Sequence, residues 1–226
     1  MTPPRVSVIM PVFNVQDYIA EAIESVLAQS FTDFELIIID DGGTDRSMEI
    51  CLSYADPRIR IIRQANRGLA GARNTGIRHA AGEIVALLDS DDRWLPEKLM
   101  LHMIHLDATP AVDVSFCGSR FIDLEGHPLR QAQSPKLGSI TAADIVCRNP
   151  VGNGSAAVIR RSALDAIAFA HPDEPERTCW FDESFRQSED IKLWVRMALK
   201  GCRFDGIKPL LTEYRIVSGG LSANIA

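Results

Sequence analysis

Several absences narrow this 226-residue chain before any motif is considered. Aromatic residues make up 7%, and 24 Lys+Arg face 30 Asp+Glu, so no cationic field exists to neutralise a polyphosphate backbone and nucleic-acid binding is disfavoured as a main function. Cysteines are few and scattered. Cys51, Cys117, Cys147, Cys179 and Cys202 form no C-x-x-C pair, which argues against a zinc or disulfide framework and fits a reducing, cytoplasmic setting. No apolar run approaches the ~20 residues that span a bilayer, and Pro11 ends the first run long before a signal-peptide core could form. Any membrane contact is therefore expected to be peripheral, at the inner face. No glycine-rich loop follows the first strand-like run, which disfavours a dinucleotide oxidoreductase and a sugar-nucleotide pyrophosphorylase.

Short β-branched apolar runs alternate with helical patterns, as in β-α-β units around a mostly parallel sheet. The spacing predicts strands over 6–12, 34–39, 58–63 and 83–88, with helices over 16–28, from Thr44 or Asp45, over 69–80 and from Pro96 to Leu106. The half before about residue 109 is thus expected to be doubly wound α/β. Beyond it the rhythm loosens. A strand is expected over 112–122, a loop over 126–139, a small-residue turn at Gly152-Asn153-Gly154-Ser155, a strand over 156–159 and a helix over 189–199 ended by Gly201.

In open parallel sheets, ligands bind beyond the carboxyl ends of the strands. Pro11-Val12-Phe13-Asn14, Asp40-Asp41 and Asp89-Ser90-Asp91-Asp92 all fall at such ends. If the strand continued, Asp89 and Asp91 at i and i+2 would project to one side. Crowded carboxylates need a cation or a shared proton, and hard oxygens favour Mg²⁺ or Mn²⁺. The five histidines show no ligand spacing; His102 and His105 are expected in solvated or packing roles.

The segments Val6–Asn14, Ser25–Phe31, Phe34–Gly42, Asn66–Asn74, Asp89–Asp92 and Glu189-Asp190 with Leu193-Trp194 resemble, in that order, the inverting family-two glycosyltransferases of GT-A fold. The resemblance covers nearly the whole chain. It implies one domain over 1–226, a nucleotide-sugar-binding half to about 109 and a smaller, mixed acceptor-binding half after it. It also implies transfer of a sugar from a nucleotide diphosphate, a UDP-sugar by preference, to a saccharide or lipid-linked acceptor hydroxyl in polysaccharide or glycolipid synthesis. Carried over residue by residue, Pro11, Val12, Phe13, Asp41, Arg73, Asp89 and Ser90 would bind the nucleotide sugar, with Asp41 accepting from the base edge. Asp91, with Asp89, would hold Mn²⁺ or Mg²⁺. Asp190 would be the general base, with Glu189 and Trp194 on the acceptor side. Arg73 has a second reading, as a structural arginine pinning a loop through carboxylates.

Two departures stand out. Gly43 replaces a frequent serine, and Val217 stands where a Tyr-Arg-x-His pattern would place histidine. The second keeps open an alternative, a nucleotide-sugar-binding domain with impaired catalysis.

Overall fold

A computed structural model describes residues 2–217. Strands β1 (Val6–Val12), β2 (Phe34–Asp40), β3 (Ile59–Arg63) and β4 (Ile84–Leu87) alternate with helices α1 (Ile19–Leu27), α2 (Ser47–Leu52) and α3 (Gly68–His79). Then come β5 (Arg93–Trp94), α4 (Lys98–Ala108), β6 (Val114–Ile122), β7 (Pro128–Gln133), α5 (Ala142–Arg148), β8 (Ala157–Arg160), α6 (Arg161–Asp165), β9 (Phe169–Ala170), β10 (Thr178–Cys179), α7 (Glu189–Leu199) and β11 (Phe204–Arg215). Nine strands form one sheet in the order β3-β2-β1-β4-β8-β6-β11-β5, with β7 added to β6. The first four are parallel, β8 runs antiparallel between β4 and β6, and β11 is parallel to β6. No helix among the described residues is long and apolar enough to cross a membrane.

The apolar runs are explained by cover on both faces of the sheet. On one face Val8, Met10, Leu36 and Ile38 meet Ile19 and Ile23 of α1 and Leu99 and Met103 of α4. On the other, Ile9, Val85 and Leu87 meet Ile77 of α3 and Trp194 and Met197 of α7. The α3 contact depends on a missing side chain: a Cβ built on Gly76 would lie 2.2 Å from Ile9 Cγ2. Gly76→Ala is therefore expected to cost about 1–3 kcal/mol, because overpacking a filled interior forces backbone shifts. A urea midpoint unchanged from wild type would contradict this contact.

Several expectations differ from the structure. Helix α1 starts three residues later than 16, because Gln16 bonds the start of α2 instead: its N–H donates to Asp45 Oδ2 (2.9 Å) and its Oε1 accepts from the Arg46 N–H (3.1 Å). The 126–139 loop contains the exposed strand β7. The two histidines on α4 are neither solvated nor simply packed. His102 Nδ1 and His105 Nδ1 share Ser115 Oγ at 2.7 and 2.8 Å, and His105 Nε2 lies 3.4 Å from Asp205. The buried Lys98 Nζ meets His102 Nε2 at 3.2 Å and donates to the Ala156 carbonyl at 3.0 Å. His127 gathers with Asp123 and Glu125 on the exposed turn between β6 and β7. All five cysteines are free, and Cys147 is exposed.

Candidate active site

Strand β1 leaves β4 after the Ile9–Leu87 pair, while it stays registered with β2 to Val12–Asp40. Pro11, which has no N–H to offer, falls where β1 has lost its β4 neighbour, so nothing is wasted. This divergence opens a crevice at the carboxyl ends of the strands, the place where such sheets bind ligands. The resulting cleft of about 970 Å³ is lined by Pro11, Val12, Phe13, Asp41, Arg73, Asp89, Ser90, Asp91, Glu189 and Asp190, among others. Of the expected site residues, Trp194 alone is missing from this lining.

At one end Phe13 is 47% exposed and lines the cleft. Beside it Asp41 is buried, and its Oδ1 accepts from Gln64 Nε2 (2.6 Å) and the Arg67 N–H (2.9 Å). No described residue donates to its second oxygen. Asn14, in a left-handed conformation, fixes the wall by accepting at Oδ1 from the Thr44 N–H at 2.8 Å.

The acidic segment after β4 is not extended. The Asp92 N–H donates to the Asp89 carbonyl at 3.0 Å, closing a turn, so the strand-alternation argument for Asp89 and Asp91 fails although both line the cleft. Their states differ. Asp89 Oδ1 accepts from Arg73 at 2.6 Å, whereas the Asp91 carboxylate meets its own backbone N–H and accepts from no described side chain. Burial pushes the Asp91 carboxyl up to about 6, and Asp89 adds to the rise. Fully buried Asp92 is pushed well above the usual range by burial and by Asp91 and Asp89; it accepts from Ser155 Oγ at 2.6 Å and from the Arg215 N–H at 2.9 Å.

Ser155, read only as part of a turn, is a keystone: its Oγ also accepts the Asp89 N–H at 3.0 Å, and its carbonyl accepts Trp94 Nε1 at 2.9 Å. The small-residue run has a reason, since a Cβ on Gly154 would come within 2.4 Å of an Arg73 nitrogen. That space is what admits Arg73. Its guanidinium is 1% exposed and bonds Glu189 Oε1 and Asp89 Oδ1, both at 2.6 Å, while its Nε has no partner. Burial alone would lower its pKa; Asp89, Glu189 and Asp190 outweigh that and raise it.

Glu189, expected to face an acceptor, is thus buried and committed to Arg73. Asp190, next along α7, accepts only from the Ile191 N–H at 2.8 Å and lines the cleft. Burial pushes its carboxyl up to about 6, with Arg73 pulling it down and Glu189 adding to the rise. Trp194 does not reach the acceptor side. It is fully buried in the core, edge-on to Phe204 at 6.2 Å, because the apolar stripe of α7 faces the sheet.

Residues 7–168 match the family model described as Glycosyl transferase family 2. Over 225 residues the chain is 32% identical to the glycosyltransferase TuaG of Bacillus subtilis (strain 168), named for teichuronic acid biosynthesis, spanning 98% of this chain and 82% of that one. It covers 96% of itself but 33% of an uncharacterized Rickettsia felis glycosyltransferase, at 32% identity, so it spans about a third of that relative's length. Among solved structures, S. aureus TarS 1–349 in complex with UDP-GlcNAc superposes with a TM-score of 0.77 at 22% identity, over 98% of this chain and 61% of that one. The mannosyltransferase PcManGT of Pyrobaculum calidifontis, in complex with GDP-Man and Mn²⁺, gives 0.70 at 20% identity, over 98% and 59%.

Proposed function

Because the chain belongs to glycosyl transferase family 2, we propose that it moves a sugar from a nucleoside diphosphate donor to an acceptor hydroxyl with inversion at the anomeric carbon. The observation that carries this is the pair of carboxylates, Asp91 and Asp190, that line one cleft and accept no hydrogen bond from another side chain among the described residues. One suits a cation and the other a proton.

The base would lie against Phe13, with the second oxygen of Asp41 accepting an N–H from its edge. An ionised carboxylate only accepts, so it suits a base with a ring N–H on its edge, as uracil has at N3 and guanine at N1, better than adenine, which offers only its exocyclic amino group there. The chemical step is one displacement. The acceptor oxygen bonds to the anomeric carbon, the bond from that carbon to the diphosphate oxygen breaks, and its electron pair leaves with the nucleoside diphosphate. Asp190 takes the proton of the acceptor hydroxyl; a carboxyl poised near 6 is ionised at neutral pH and still basic enough to accept it.

The donor set after β4 suits a hard divalent ion: Mg²⁺ takes one or two protein carboxylates and fills its shell with water and phosphate oxygens. Mn²⁺ or Mg²⁺ held by Asp91, with Asp89 beside it, would supply neutralisation of the charge on the diphosphate. The name of the Bacillus relative supports a saccharide acceptor and a place in polysaccharide assembly. Impaired catalysis is the second reading, favoured by Val217; retention of Asp41, Asp89, Asp91 and Asp190 together opposes it.

UDP with Mn²⁺ or Mg²⁺ is expected to raise the melting temperature, and chelation to remove most of the rise. In Asp91→Ala the metal-dependent part should vanish. A metal-dependent shift of wild-type size in that variant would defeat the assignment of Asp91, and GDP run in parallel tests the choice of base.

A further inference from the structure

Four arginines line the cleft, and three of them are occupied. Arg73 is locked between Asp89 and Glu189. Arg215, 2% exposed, donates to the carbonyls of Asp91, Asp123 and Leu124 and to Glu21. Arg67 extends toward Glu174, 3.8 Å away. Arg186 is exposed and has neither a hydrogen bond nor an ion pair among the described residues.

The backbone that carries Arg186 is nevertheless held in place. Asp182 accepts from Lys192 of α7, the Lys192 ammonium lies 4.1 Å over the Phe185 ring, and Ser188 closes the segment in a left-handed conformation at φ 58°. From this fixed base the guanidinium crosses to the opposite wall: its Nη1 is 3.8 Å from where a Cβ on Gly68 would sit. Gly68 follows Arg67, whose N–H is bonded to Asp41. A cation carried on this loop, unpaired among the described residues and hung over the nucleotide side of the cleft, is placed for an anion that arrives with the substrate.

We propose that Arg186 binds the diphosphate of the donor and stabilises it as it leaves. This rests on the nucleotide-sugar reading above. A diphosphate held between a base at Phe13 and Asp41 and the Asp91 carboxylate would lie in the cleft that Arg67, Gly68 and Arg186 also line. Val217, which also lines the cleft, has no side-chain donor to offer the diphosphate. A guanidinium suits it, because its fork meets two phosphate oxygens at once.

The test compares UDP with uridine, each with Mn²⁺, by calorimetry on wild type, Arg186→Ala and Arg186→Lys. Without ligand all three should melt together, since Arg186 pairs with no described residue. Arg186→Ala should bind UDP about tenfold more weakly, the size expected for losing a hydrogen bond to a charged group, with uridine unchanged. Arg186→Lys should recover part of the loss. UDP binding unaltered in Arg186→Ala, or UDP and uridine weakened equally, overturns the inference while leaving the nucleotide-sugar reading in place. A wild-type protein that binds neither UDP nor GDP removes both.

Discussion

Asp190→Asn is expected to lower turnover by about 10²–10⁴-fold, the usual contribution of a positioned base, while UDP binding with metal stays within a few-fold of wild type. The amide keeps the volume of the carboxylate and cannot take a proton. Its pH profile sharpens the case. The base works only when ionised, and burial holds its carboxyl at about 6, so wild-type turnover should fall tenfold per pH unit below about 6 and level off above it. An asparagine variant has no such group to titrate, and its residual rate should lose that limb. Donor hydrolysis at saturating metal reads this without a known acceptor. If the variant turned over at the wild-type rate, the proton would have to go to another residue.

Arg73→Met should be the most destabilising change in the cleft, by about 3 kcal/mol, toward the low end for a broken buried ion pair because Asp89 keeps partial solvent contact. Methionine fills much of the volume but leaves Asp89 and Glu189 facing each other with no cation. Removing one of the two carboxylates as well, in Arg73→Met with Glu189→Gln, should therefore recover part of the loss, the reverse of a deficit caused by packing alone. Urea midpoints of the single and double variants separate the two cases. A double variant that recovers nothing would mean that Arg73 acts by shape rather than charge.

The parallel part of the sheet was legible because strands covered on both faces must be written in unbroken apolar residues, as in Phe34–Ile39. Strand β11 was hidden by its own irregularity. Its pairing with β6 shifts between Ile207 and Leu210 and again between Leu210 and Thr212, and Pro209, which cannot donate to a ladder, falls in the first shift. Strand β7 is almost wholly exposed, so no alternation marked it. Helix α5 did carry a signal: Thr141 and Asp144 form a capping box, three residues apart. In the site, acidic residues at strand ends were visible in the spacing, whereas the residues that hold them were not. Gln64 and Ser155 act through contacts that no local pattern encodes. Trp194 shows the opposite error, since its place on the apolar stripe of α7 already indicated core.

The bonds that shape the cleft span the chain. Arg73 meets Glu189 across 116 positions, Arg215 reaches Asp92 across 123, and its guanidinium reaches Glu21 across 194. A nascent chain leaving the ribosome can assemble β1 to β4 early, yet the acidic turn lacks its bonds from Arg215 until β11 has emerged. The cleft thus closes late: its bracing bonds are complete only once β11, the last of the described strands, has joined the sheet.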